Sequence, residues 1–193
     1  ALTGLQDAVI SDIGGTTTDI AVLTGGRPRI DPDGARVGGW RTMVEAVAMR
    51  THGLGGDSEV GVQEGGLKPD ITLGPQRAVP VSLYASTGGD VAGALTRQLD
   101  APRPGDHDGV FAAVGARAVG DLDERSAAIV ASVGDGAAIE DLGLGRRDLA
   151  SLYRLFRAGA LRRVAFTPTD AAHVLGLHDG FDSKAARQTA ALF

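Results

Sequence analysis

The sequence predicts an α/β lobe, a mixed sheet flanked by helices with a small helical segment toward its C-terminal end, and three observations carry that expectation. Apolar runs of strand length, Ala8-Val9-Ile10 and Ile20-Ala21-Val22-Leu23, are separated by glycine turns in the N-terminal third. Helical periodicity enters later and is strongest from Arg147 to Ala158, where Leu149, Leu152, Tyr153, Leu155 and Phe156 gather on one side. The 193 residues, 43% of them hydrophobic, suffice for one substantial core with or without a small satellite.

Taken in order, the chain reads as strand, glycine turn, strand, a Gly25-Gly26 turn and a third short strand near Arg29 to Asp31. Met43 to Leu54 is expected as a helix, because Met43, Val44, Val47 and Ala48 recur at near-helical spacing and Gly55-Gly56 supplies a stop. Extended segments follow at Glu59 to Val62, Asp70 to Leu73 and Ala78 to Tyr84. Gly88-Gly89-Asp90 opens a helix running to about Leu99. Ala101 to Asp108, with two prolines and a glycine, breaks helix and ladder alike and reads as a linker between a core of residues 1–100 and a mostly helical segment, 109–193. Within that segment Leu122 to Val133 reads as helix and Leu161 to Phe166 as strand. Pro168 starts a helix with Thr167 as its N-cap, and Asp182 or Ser183 caps a last helix. Both ends read as cut, since the main motif begins barely a strand after Ala1 and the final helix has no stop signal.

Bulk properties exclude several function classes. A net charge of −5 without a Lys/Arg cluster argues against a nucleic-acid surface. The absence of cysteine excludes disulfides and thiolate metal sites, and no apolar stretch has the length of a membrane span or the layout of a signal peptide. Cytoplasm is therefore the expected location.

Chemistry concentrates in Asp12-Ile13-Gly14-Gly15-Thr16-Thr17-Thr18-Asp19, where one tight turn gathers two carboxylates, two glycines and three hydroxyls. Glycines let backbone N–H groups approach an anion where a Cβ would intrude, and threonine hydroxyls add donors, so the turn has the make-up of a phosphate cradle. A carboxylate beside polyphosphate needs a cation between them, so Asp12 and Asp19 imply Mg²⁺ as a ligand of both. The plain alternative is a ligand-free β-hairpin. Against it stands the acid on each side of the turn, because like charges held close repel unless something cationic intervenes.

This turn resembles the second phosphate motif of the actin, heat-shock chaperone and sugar-kinase superfamily. The wider stretch, Gly34-Ala35-Arg36-Val37-Gly38-Gly39-Trp40-Arg41-Thr42-Met43 and Arg50-Thr51-His52-Gly53-Leu54-Gly55-Gly56-Asp57-Ser58, is similar to the ATP-dependent hydantoinase/oxoprolinase family of the hydantoinase A type. Gly65-Gly66-Leu67, Leu73-Gly74-Pro75 and Thr167-Pro168-Thr169-Asp170-Ala171-Ala172-His173-Val174-Leu175-Gly176 echo it further.

The resemblance implies an actin-like ATPase (ribonuclease H-like) fold with two lobes closing over ATP and Mg²⁺, and ATP hydrolysis coupled to opening a cyclic amide such as hydantoin or 5-oxoproline. It also implies an oligomer, and related members serve ketone carboxylases. By the same resemblance Gly14, Gly15, Thr16, Thr17 and Thr18 contact phosphate, Gly55, Gly56, Asp57 and Ser58 form the adenosine motif, and Asp170 joins Asp12 and Asp19 as a catalytic acid. Read without the resemblance, Gly55-Gly56 is a C-cap turn, and Thr167 with Asp170 completes an N-terminal cap. His52 reads as a dipole partner at a helix end or as a ligand, and Arg41 as a surface charge beside a core Trp40 or as an anion contact. The family carries another Asp-x-Gly-Gly-Thr turn in its first lobe, and this chain has one. It is therefore expected to be the second lobe, inactive without the first. A nucleotide-binding subunit of a split enzyme and a small-molecule kinase relative are the competing classes.

Overall fold

The computed structural model describes residues 4–37, 40–42, 44–63, 70–115 and 120–193. It is a mixed α/β chain in two compact units, Ala1–Gly56 and Asp57–Phe193.

The N-terminal unit is a small antiparallel assembly. β1 (Ala8–Ile13) pairs with β2 (Thr18–Thr24), whose far end meets β3 (Arg27–Pro28). Two-residue strands β4 (Ile30–Asp31), β5 (Arg36–Val37), β6 (Trp40–Arg41) and β7 (Ala46–Val47) follow, and β8 (Met49–His52) returns to pair with the other edge of β2. The expected helix from Met43 to Leu54 is therefore strand instead, with Met43 itself outside the described residues. Its spacing fits a helix, but the free edge of β2 offers Met49–His52 four cross-strand partners, and pairing with a sheet edge overrides weak local periodicity. The described residues of this unit contribute no buried hydrophobic side chain: Val9 and Ile13 are 71% and 69% exposed. Trp40, expected in the core, is 83% exposed.

The C-terminal unit holds the core. β9 (Ser58–Gln63) and β10 (Asp70–Arg77) form an antiparallel ribbon, after which β11 (Val79–Pro80) leads into helices α1 (Val81–Ser86) and α2 (Ala92–Leu99). Then come β12 (Phe111–Val114), α3 (Glu124–Val133), β13 (Gly136–Ala138), α4 (Arg146–Ala158), β14 (Leu161–Ala165), α5 (Pro168–Val174) and α6 (Ser183–Ala190). Four strands make a mixed sheet in the order β11-β14-β12-β13, parallel only between β11 and β14.

Strand alternation sends side chains to opposite faces of this sheet. Phe111, Ala113 and Val164 meet Val81, Tyr84, Leu95 and Ala185 on one face. Ala112 and Leu161 meet Ile129, Val133, Leu152 and Leu155 on the other. The result is helix, sheet, helix in three layers. α2 and β12, on either side of the segment expected as a linker, share one of these clusters through Leu95 and Phe111, and the boundary between compact units falls after Gly56 instead.

The expected strand from Ala78 to Tyr84 is two residues long and then becomes α1. The physical reason lies 89 residues away: the Asp170 carboxylate accepts from the N–H groups of Val81 at 3.2 Å and Ser82 at 2.8 Å, satisfying the first turn of a helix that has no local side-chain cap. The N-caps expected at Thr167 and Asp182 are present, the latter accepting from Lys184 and Ala185 N–H.

The ribbon is tied to the three-layer body by Glu59 and Arg163. Their carboxylate and guanidinium meet in a fork, Nε to Oε2 at 2.8 Å and Nη2 to Oε1 at 2.6 Å, with side chains 17% and 10% exposed. Nη1 of Arg163 has no hydrogen-bond partner, and the guanidinium lies 5.5 Å from the Tyr153 ring centroid and 5.9 Å from that of Phe156, so aromatic faces stand in for an acceptor. Burial acts to lower the Arg163 pKa, but the bond and charge of Glu59 outweigh it and hold the guanidinium above its usual value. Glu59→Gln is expected to lower unfolding free energy by about 3 kcal/mol in chemical denaturation, because it strands a buried cation. Replacing both partners, Glu59→Leu with Arg163→Met, should recover at least half of that loss.

Candidate functional site

The strand ladder places the two motif acids side by side. Asp12 pairs directly with Asp19 across β1 and β2, and Asp19 pairs with Thr51 of β8. Residues opposite one another in antiparallel strands project to the same face, so both carboxylates and the Thr51 hydroxyl stand in one row. The Thr51 hydroxyl donates to Asp19 Oδ1. Asp12 is exposed and Asp19 half-buried. Like charges directly opposite each other destabilise a ladder, which makes this row a natural cation position.

Beyond the acids, Gly14 N–H donates to Thr17 O at 2.9 Å and closes the turn. Thr18 turns its hydroxyl to Leu54 O at 2.8 Å, while the hydroxyls of Thr16 and Thr17 donate to no described residue. Gly56 N–H donates to Gly14 O at 3.0 Å, so the second glycine turn lies against the first. A Cβ on Gly55 would sit 2.5 Å from Gly14 O and 2.6 Å from Gly15 C, a clash with backbone that no rotamer relieves. Only glycine fits there. The forty-residue separation between the two turns is thus closed within one unit, although the element between them is strand and not helix.

The remaining candidates lie elsewhere. Asp57 and Ser58 belong to the C-terminal unit, where Asp57 forms an ion pair with Arg77 at 3.0 Å and Ser58 is buried. Asp170 is fully buried, and its carboxylate takes four donors: Val81 N–H, Ser82 N–H, Thr167 N–H at 2.9 Å and the Thr167 hydroxyl at 3.0 Å. The capping role is the one the structure gives it, and on two helices at once. Its neighbour His173 is also buried, with Nδ1 donating to Thr169 O and Nε2 accepting from Phe181 N–H. His52 is an exposed strand residue opposite Thr18, and Arg41 forms an exposed ion pair with Asp33 at 3.3 Å. Gly38, Gly39 and residues 65–67 lie outside the described residues.

Among the described residues no group of three or more His, Asp or Glu converges into a metal cage. Two carboxylates in a row are nevertheless a set that Mg²⁺ accepts, since it keeps several waters and takes phosphate oxygens for the rest. The residues present fit the ion the sequence implied. Sequence reasoning missed Thr51, whose hydroxyl becomes visible as a partner of Asp19 only when β8 is seen as a strand. No helix among the described residues is long and apolar enough to cross a membrane.

A family model described as hydantoinase/oxoprolinase matches residues 1–98. No curated protein matches the chain. Among solved structures, the nucleotide-free acetone carboxylase from work on the mechanism of ATP-dependent acetone carboxylation is 25% identical, with a TM-score of 0.35, over 81% of this chain and 21% of that one. The chain spans about a fifth of that protein's length.

Two outcomes are expected from this geometry. Gly55→Ala pushes the glycine turns apart at a cost of about 1–3 kcal/mol, and amide exchange at Gly56 should accelerate accordingly. Unchanged protection would show that the turns are not packed as described. Asp170→Ala leaves three buried N–H groups without their acceptor and should cost about 3 kcal/mol in a denaturant titration.

Proposed function

The chain belongs to the hydantoinase/oxoprolinase family, and from that premise we propose that its N-terminal unit carries the phosphate-binding face of an ATP-dependent cyclic-amide hydrolase built on an actin-like ATPase fold. The observation that carries the reading is the backbone contact between the Gly14-Gly15 and Gly55-Gly56 turns beside the paired acids Asp12 and Asp19.

Each residue has a task that its chemistry suits. The amides of Gly15, Thr16 and Thr17, with the hydroxyls of Thr16 and Thr17, donate to phosphate oxygens. Gly14 turns its own N–H inward to Thr17 O, which keeps the loop in one conformation before any anion arrives. Asp12 and Asp19 hold Mg²⁺, and Thr51 orients Asp19 by its hydrogen bond. When bound, the ion supplies electrostatic stabilisation of charge on the phosphate oxygens. Gly55 lets a second stretch of backbone lie close to the first, so that Gly55 and Gly56 extend the same face toward the nucleoside. Asp170 has no place in this set, its oxygens being taken by two helix ends.

A phosphoryl group held on one side only is not yet positioned for transfer. The reading therefore requires a second wall with its own phosphate turn, supplied by another segment of the polypeptide or by a partner chain. The cyclic amide enters from that side.

Asp12→Asn and Asp19→Asn, each made in the full-length protein with any partner subunits, are expected to lower Mg²⁺-dependent ATP hydrolysis by about a hundredfold or more, with unchanged far-ultraviolet circular dichroism. Wild-type rates in both would sink the assignment.

A further inference from the structure

A cleft of about 770 Å³ opens in the C-terminal unit, and none of the residues given a phosphate role above lines it. Its origin is topological. β11 pairs with β14 at only two positions, and the chain just before it turns away, with Ala78 N–H bonded to Asp57 O, toward the β9–β10 ribbon. The divergence leaves a wedge beside the start of β14. Leu161 and Val79 line it from the strands, Leu83 from α1, and Tyr153 and Phe156 from α4. That size and apolar lining are those of a small-molecule site.

The charges around it are one-sided. Four arginines, Arg77, Arg157, Arg162 and Arg163, line the cleft against one carboxylate, Asp57, in a chain whose net charge is −5. Two of the four are committed: Arg77 is paired with Asp57, and Arg163 with Glu59. The guanidinium of Arg157, in the last turn of α4, has no hydrogen-bond or ion-pair partner among the described residues. Arg162, which is exposed, donates its Nε to Val114 O at 2.9 Å and forms no ion pair among the described residues. Two arginines without an ion-pair partner among the described residues therefore line an apolar, partly aromatic wedge. Planar guanidinium forks are matched to carboxylate and phosphate oxygens.

We infer that this cleft binds a small organic anion with a flat apolar body, its ring against Phe156, Leu83 and Val79 and its carboxylate or phosphate on Arg157 and Arg162. The apolar wall supplies contact area and the arginines set the charge of the ligand and its orientation. The site stands independently of the phosphate face in the other unit.

Isothermal titration of the full chain with 2-naphthoate, 2-naphthyl phosphate and the uncharged 2-naphthylmethanol tests it. One or both anions should bind about tenfold or more tightly than the alcohol, and whichever is tighter identifies the anionic group. Arg157→Gln with Arg162→Gln should remove that preference while leaving the thermal midpoint and the weak affinity for the alcohol unchanged. Equal affinity for all three probes, no binding of either anion, or an undiminished preference in the double variant would overturn the assignment. Leu83→Trp, which fills the wedge from α1 without adding charge, should abolish binding of all three; retained binding would place the probes elsewhere and overturn it as well.

Discussion

One buried carboxylate organises the C-terminal unit. Asp170 closes the first turn of its own helix through Thr167 and, from 89 residues downstream, also receives the leading amides of α1. Without that acceptor the segment after Pro80 has no reason to stop being strand, since its apolar and β-branched residues suit either state. With it, Val81 and Tyr84 turn inward to the sheet, and β11 is limited to the two residues that pair with β14. The wedge beside the start of β14 has a separate origin, because the chain just before β11 turns away toward the β9–β10 ribbon. A helix cap thus sets where a strand ends.

The N-terminal unit follows a different logic. Its described strands bury no hydrophobic side chain, and its order comes from ladder pairing and from close contact of two glycine turns. Such a unit has little packing energy to spare for decoration. Placing Asp12 opposite Asp19 costs stability that the sheet does not need to lose, and this kind of local conflict is characteristic of functional sites. The acids, the threonine hydroxyls of the turn and the glycine backbone form one polar face, and the proposed function gives that face an anion and a cation to share.

Much of this was legible in the sequence for reasons that are local. A glycine pair between apolar runs makes a hairpin, so the Asp12–Asp19 pairing could be read from spacing alone. Thr167-Pro168 and Asp182 begin helices by capping chemistry that acts within three residues, and α4 declared itself through a full amphipathic stripe. Met49–His52 and Val81–Ser86 misread for the opposite reason. The first takes its conformation from an edge of β2 some thirty residues earlier, the second from a carboxylate far downstream. Phe111–Val114 inside the main sheet and Gly136–Ala138 at its edge carry alanine-rich runs too short to announce a strand without their neighbours.

By itself, then, the amino-acid order determined the chemistry available: a glycine turn rich in hydroxyls, an acid on each side of it, no thiols, and helices and hairpins wherever side chains act on backbone within a turn or two. Tertiary structure alone decided which distant groups meet. It set Thr51 beside Asp19 and Gly55 against Gly14, placed Asp170 on two helix ends, paired Glu59 with Arg163, and left Arg157 and Arg162 without ion-pair partners among the described residues along a cavity. Those outcomes depend on contacts whose partners lie tens of residues apart, and their free energy exists only once the sheets have assembled.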